Sequence, residues 1–161
     1  MEDSFLKQRA LELWNEGAQH HLRQDLPRAI DLYTKSIEMF PTAEAYTFRG
    51  WAYSAMGRID DAIAECKRAI EVDPTFGNPY NDIGAYLIAQ GALDEAIEWL
   101  EKANRAERYE PRHFPHMNLG RVYLQKGMVN RAIQELELAV AIAPGDESCL
   151  QMLAQLRAML N

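Results

Sequence analysis

Four histidines, two cysteines and 24 carboxylates are the groups in this chain that could hold a metal ion or move a proton. His113 and His116 stand three apart with Glu110 upstream, and His20 and His21 are adjacent. Side chains three apart share a helix face, so the first pair and Glu110 could reach one cation. Neither pair is backed by a Cys, His or carboxylate set at metal-ligand spacing, and no HExxH occurs. There is no Gly-rich phosphate loop, no GxSxG and no nucleophile beside a base. Cys66 and Cys149 are too few and too scattered for a disulfide framework or a zinc site. Cys66 stands among apolar core positions, where a thiol is expected to be buried and inert. The expectation is a protein that is not an enzyme, with no cofactor and no metal site. The chemistry left is that of recognition, carried by tryptophans, amides and arginines.

What must position those groups is a repeating scaffold. Gly17, Gly50, Gly84 and Gly120 are separated by 33, 34 and 36 residues. Ala29, Ala62, Ala96 and Ala132 follow with the same steps, each before an Ile: Ile30, Ile63, Ile97 and Ile133. A third row is Ser36, Ala69, Ala103 and Ala139, and Pro41, Pro74 and Pro144 close three units. Each unit reads as two helices. Tyr46, Arg49, Gly50 and Tyr53 share one face, Gly57 breaks the run, and Asp60 or Asp61 is placed to cap a helix carrying Ile59, Ala62, Ile63, Cys66, Ala69 and Ile70. Gly50 and Ala62 are expected where two helices cross closely. Gly57, Gly91 and Gly127 are expected at left-handed bends.

These rows resemble the tetratricopeptide repeat, a family of 34-residue helix–turn–helix units. The second unit carries Tyr46, Gly50, Tyr53, Ala62, Ala69 and Pro74; the third, Tyr80, Ile83, Gly84, Leu87, Ala96, Leu100 and Ala103; the fourth, Leu119, Gly120, Tyr123, Ala132, Leu136, Ala139 and Pro144. The first keeps Gly17, Ala29, Tyr33 and Pro41, with Glu16 and His20 in place of Leu and Tyr. The resemblance implies an all-α, right-handed solenoid of about nine helices forming a single domain over 1–161. Repeats fall at about 10–42, 43–76, 77–112 and 113–146, and a helix over 147–160 caps the last open face. On that helix Cys149, Leu150, Met152, Leu153, Leu156, Met159 and Leu160 form an apolar stripe. Glu16 and Arg49, at matching places in adjacent units, are expected to form an ion pair.

Stacked units of this type present a concave surface lined by the first helix of each. Spacing from the glycine row places in it Trp14, Ala18 and His21; Glu44, Thr47, Trp51 and Ser54; Asn78, Asn81, Asp82, Ala85 and Ile88; and Phe114, Met117, Asn118, Arg121 and Gln125. The expected groove contacts are Trp14, Thr47, Trp51, Asn78, Asn81, Phe114, Met117, Asn118 and Arg121. Aromatics supply area for a bound peptide and amides bond to its backbone. Trp14 and Trp51 could instead pack on each other, and Asn78, before Pro79, could cap a helix. A subset of the family grips the C-terminal carboxylate of heat-shock chaperones with two Lys, two Asn and an Arg. Trp14 and Ala18 stand where that clamp calls for Lys and Asn, so such a ligand is not expected. The irregular stretch Asn104 to Pro115, with Arg105, Arg108 and Arg112, either joins the binding face or is a tolerated insertion.

Charge narrows the partner. A net charge of −7 disfavours a non-specific nucleic-acid binder and an anionic membrane surface. The longest apolar run, Leu138 to Pro144, falls far below the roughly 20 residues of a membrane span. The start shows no signal peptide pattern, and a reducing cytoplasm is the expected location. The leading reading is an adaptor that binds a peptide segment of another protein in the groove. Two others stand beside it. One is a small acidic secretion chaperone of the type III class, since Glu110-Pro111-Arg112 and Leu124-Gln125-Lys126-Gly127 are similar to segments of that group. The other is a self-assembling scaffold; a homodimer is open on both.

Overall fold

The computed structural model describes residues 1–161. Nine helices follow one another: α1 (Glu2–Leu22), α2 (Leu26–Met39), α3 (Ala43–Ala55), α4 (Ile59–Val72), α5 (Asn78–Ala89), α6 (Leu93–Arg105), α7 (Phe114–Gln125), α8 (Val129–Ile142) and α9 (Glu147–Met159). Consecutive helices pair as hairpins, and α1, α3, α5 and α7 also touch one another across repeats. The odd helices therefore form the inner layer of a curved array, with the even helices outside.

Small residues set the closeness of each hairpin. A Cβ on Gly50 would stand 3.0 Å from the Ala62 carbonyl oxygen, and one on Gly84 would stand 2.5 Å from Leu100. Gly57, Gly91 and Gly127 end the odd helices of their units with φ of +80°, +77° and +77°, the region where a side chain is strained. The main core runs through the C-terminal half, around Ile83, Leu100, Val122 and Leu136. Each such side chain contributes about 1.5–3 kcal/mol by leaving water.

Two local expectations change, and the histidine pair divides. α4 begins at Ile59 after Arg58, so Asp60 and Asp61 lie in its first turn rather than capping it; there they still favour the positive end of the helix dipole. On α9, Cys149, Leu153 and Leu156 are buried against the last hairpin, while Leu150, Met159 and Leu160 face outward and are exposed. The apolar stripe is thus wider than the surface available to cover it. Of the two adjacent histidines, His21 is the buried one; its Nδ1 lies 3.2 Å from the Tyr33 hydroxyl, and His20 sits nearer the surface beside Asp25.

The insertion does not hang free. Arg108 N–H donates to the Thr75 carbonyl at 3.0 Å, and Gly77 N–H donates to the Arg108 carbonyl at 2.9 Å, a short parallel bridge. Tyr109 lies directly on Gly77, where a Cβ would come within 2.2 Å of its ring. The Arg112 guanidinium ties the segment to itself by donating to the carbonyls of Ala106 and Glu107.

Candidate peptide groove

Aromatic rings gather where α1 meets α3. Trp14 meets Phe48 edge-on at 5.1 Å, Phe48 meets Trp51 edge-on at 5.8 Å, and Trp51 stacks on His21 at 3.8 Å. Burial lowers the pKa of His21, so the ring stacked on Trp51 is neutral at pH 7. One face of Trp51 is thus fixed and the residue remains 40% exposed. Trp14 and Trp51 are joined through Phe48 rather than packed on each other. Trp14 sits deeper, with its indole N–H buried and unpartnered.

The middle and far end of the inner layer are polar. Asn118 Nδ2 donates to Asn81 Oδ1 at 3.0 Å, and Arg121 donates to Asn118 Oδ1 at 3.0 Å. This ladder links α5 to α7 and leaves both asparagines mostly buried. Asn81 Nδ2 is not engaged in the ladder. Met117 is buried beside it, whereas Phe114 is 39% exposed with its ring against His113. Asn78 opens α5 after Gly77 and reaches toward the Glu110 carbonyl at 3.5 Å, so it serves the insertion.

Thr47 does not offer a groove contact. It is 1% exposed, and its hydroxyl donates to the Ala43 carbonyl one turn back at 2.7 Å. The Glu16–Arg49 pair is also absent. Arg49 turns to its own hairpin, donating to both Glu65 oxygens at 2.6 and 3.1 Å, and also reaches back to the Thr34 hydroxyl of α2 at 3.2 Å. Glu65, almost wholly buried, also accepts from Arg68, while Glu16 stays in solvent. His113 and His116 diverge as well: His113 Nε2 lies 3.0 Å from Asp146, and His116 Nδ1, on α7, lies 2.8 Å from Glu135. Asp146 caps α9 by accepting from Cys149 N–H, which brings the side chains of His113, Asp146 and Cys149 together.

The insertion builds a wall at the mouth of the groove. Arg108 donates to Glu44 and Asp73, both at 2.8 Å, and lies over the Phe76 ring at 4.4 Å. The Thr75 hydroxyl and Arg108 together hold the Asp73 carboxyl down to about 2. A cavity of about 340 Å³ is left between this wall and the aromatic cluster, lined by Trp14, Phe48, Phe76 and Tyr109 with Glu44 and Glu110 at its rim. Spacing alone leaves this segment without an address, because nothing in it marks Gly77 as the surface Tyr109 covers.

One further groove residue has no partner. Asp82, on α5 next to Asn81, makes no side-chain hydrogen bond or ion pair, and burial pushes its carboxyl up to about 7. Its position appears in the glycine-row spacing; its isolation does not.

Tetratricopeptide repeat models match residues 43–76 and 87–156. The chain belongs to the tetratricopeptide repeat family. Among curated relatives, small glutamine-rich tetratricopeptide repeat-containing protein 2 of Mycosarcoma maydis is 36% identical over 95 residues, 58% of this chain and 27% of that protein. Heat shock protein STI1 of Saccharomyces cerevisiae is 30% identical over 94 residues, 57% of this chain and 16% of that protein. The chain thus spans about a quarter or less of the length of these two relatives. Among solved structures, Pseudomonas aeruginosa pilF superposes with a TM-score of 0.85 at 22% identity, over 97% of this chain and 69% of that one. The first repeat domain of Spaghetti (RPAP3), bound to the HSP90 peptide SRMEEVD, gives 0.67 at 24% identity, over 75% of this chain and 95% of that one. No helix of the tetratricopeptide array is long and apolar enough to cross a membrane.

Proposed function

We propose that this repeat array is an adaptor that holds a polypeptide segment of another protein against its inner layer. The observation that carries the reading is the pair Trp51 and Phe114, two large rings held in place by neighbours yet 40% and 39% exposed on that layer. Immobilised aromatics lose little entropy on binding and dominate interface energetics. The ladder Asn81–Asn118–Arg121 joins α5 to α7 on the same layer and keeps the Asn81 amide in one orientation. Trp14 and Met117 would support this surface from below, and Asn78 shapes its rim. The relative named a heat shock protein and the neighbour bound to a peptide support a binding role of this kind.

The acidic peptide bound by that neighbour is not carried over. An acidic terminus would meet Asp82, and the arginines Arg49 and Arg108 are already engaged by Glu65, Glu44 and Asp73. The test is comparative capture from the native cell with wild type, Trp51→Ala and Phe5→Ala. Phe5 is exposed on the first turns of α1 and controls for lost apolar surface. Trp51→Ala should retain at least about tenfold less partner, about 1.4 kcal/mol, with an unchanged helical circular dichroism spectrum. Equal retention by all three would remove the groove reading.

A second reading has its own observation. Leu138, Ile142, Leu150, Met159 and Leu160 are exposed on α8, α9 and the residue after it, so copies of the chain could associate there. Sedimentation across a concentration series decides it: a constant monomer excludes this association.

A further inference from the structure

One cluster of ligand-type side chains lies outside the groove contacts. The residues that open successive inner helices correspond from repeat to repeat: Thr42, Gly77, His113 and Asp146 precede α3, α5, α7 and α9. Stacking therefore sets His113 beside Asp146, 33 positions on, with Nε2 at 3.0 Å from Oδ2. The other Asp146 oxygen, Oδ1, accepts the Cys149 N–H at 2.9 Å and so draws the first turn of α9 around the carboxylate. One donor atom from each of His113, Asp146 and Cys149 then lies within 4.8 Å of the other two. Spacing along the chain points instead to His116 and Glu110 as companions of His113. His116 is turned to Glu135, and it is the stacking of units that selects this trio.

An imidazole nitrogen, a carboxylate oxygen and a thiol sulfur make a mixed donor set. It suits zinc rather than magnesium or calcium, which take oxygen. A tetrahedral zinc ion keeps such ligands about 3.3–3.6 Å apart. The His113–Asp146 contact opens slightly to reach that spacing, and the widest gap closes by about 1 Å. Cys149 is fully buried, His113 is 8% exposed with its ring against Phe114, and Asp146 keeps 25% of its side chain in water. An ion thus enters past Asp146, and water completes its coordination from that side. Neutral His113 keeps its proton on Nδ1, and Cys149 gives its thiol proton to solvent as the Zn–S bond forms. Arg121 is the cation that faces Cys149. A divalent ion held by one thiolate and one carboxylate is formally neutral, so Arg121 meets no net positive charge there and favours the thiolate.

We propose that His113 Nε2, Asp146 Oδ2 and Cys149 Sγ hold a zinc ion that clasps the capping helix to the fourth repeat. α9 packs on α8, and the ion adds a second tie, from the first turn of α9 to the start of α7. The site is separate from the aromatic cluster of α1 and α3, so it stands whether or not a peptide binds there.

The test uses the full chain, reduced and freed of metal with a chelator. Cobalt(II) is the spectroscopic probe and zinc the competitor. Cobalt should bind one per chain, with a near-ultraviolet thiolate-to-cobalt band and the visible bands of a tetrahedral ion, and zinc should bleach both. Asp146→Asn keeps an amide oxygen able to cap α9 and should weaken zinc binding at least about tenfold, about 1.4 kcal/mol. Cys149→Ser should lose the thiolate band, while His20→Asn retains it. With zinc at about ten times its wild-type Kd, amide protons of α9 should exchange about tenfold more slowly in wild type and by about twofold or less in Asp146→Asn. No thiolate band by about 0.1 mM cobalt, a band retained in Cys149→Ser, or zinc binding unchanged in Asp146→Asn would each overturn the proposal and leave the trio a hydrogen-bonded helix cap. Zinc binding with no change in α9 exchange would overturn the clasp.

Discussion

Replacing Asp82 with asparagine removes a charge that the folded chain solvates poorly. Its carboxyl is raised from 3.8 to about 7, with burial as the cause. An acid whose pKa rises on folding binds its proton more tightly in the native state, so stability falls as pH climbs from about 4 to about 7. Three pH units at about 1.4 kcal/mol each give a ceiling of about 4 kcal/mol above pH 7. Because Asp82 is only partly buried, about 2 kcal/mol is the expected size. The amide of the variant keeps the shape of the carboxyl and carries no such penalty. Urea unfolding of wild type and Asp82→Asn at a series of pH values isolates the effect. The difference cancels His21 and Asp73, whose lowered pKa values make stability fall on acidification in both proteins. The variant should match wild type at pH 4 and exceed it by about 2 kcal/mol at pH 8. A variant less stable than wild type at pH 8, or a difference that does not vary with pH, would refute the reasoning.

Three other outcomes follow from the packing. Glu65→Ala leaves Arg49 partly buried without its carboxylate and should cost about 3 kcal/mol or more; the double change Arg49→Leu, Glu65→Leu should cost less in the same urea titration, and the reverse order would show that the pair is not a unit. Gly77→Ala drives a Cβ to 2.2 Å from the Tyr109 ring, so it should lower stability by about 1–3 kcal/mol and expose residues 104–113 to limited proteolysis. Gly57→Ala meets nothing within 4 Å and suffers from its positive φ alone. It should cost about 1 kcal/mol, less than Gly50→Ala, whose new Cβ would press on the Ala62 carbonyl; thermal melts rank the two.

The helices are legible in the sequence because close hairpin crossings admit only small side chains, which leaves glycine and alanine at fixed intervals. Gly57, Gly91 and Gly127 are legible for a different reason, the positive φ each bend imposes. The groove is legible in part. Trp51 and Phe114 stand exposed on the inner layer as their spacing requires. Thr47 shares that spacing, but a threonine hydroxyl can satisfy itself on its own helix, and here it does. Arg49 finds Glu65 rather than Glu16 because alignment of repeats compares α1 with α3, whereas the tighter contact lies within one hairpin, where Glu65 faces it. Asp82 is visible as a groove position. Its lack of a partner depends on where three distant arginines turn, which no local pattern records.

The bridge between Thr75–Gly77 and Arg108, with the reach of Arg108 on to Glu44, has a consequence for how the array comes apart. In a simple stack each unit holds only its neighbours, so loss of order spreads inward from the tips step by step. Here Arg108, after the third hairpin, adds a fastening to the start of the neighbouring second one, 64 positions earlier, so that one junction is held by more than helix packing. Amide protons of α3 through α6 should therefore exchange as one block, while α1 and α9 open independently and sooner.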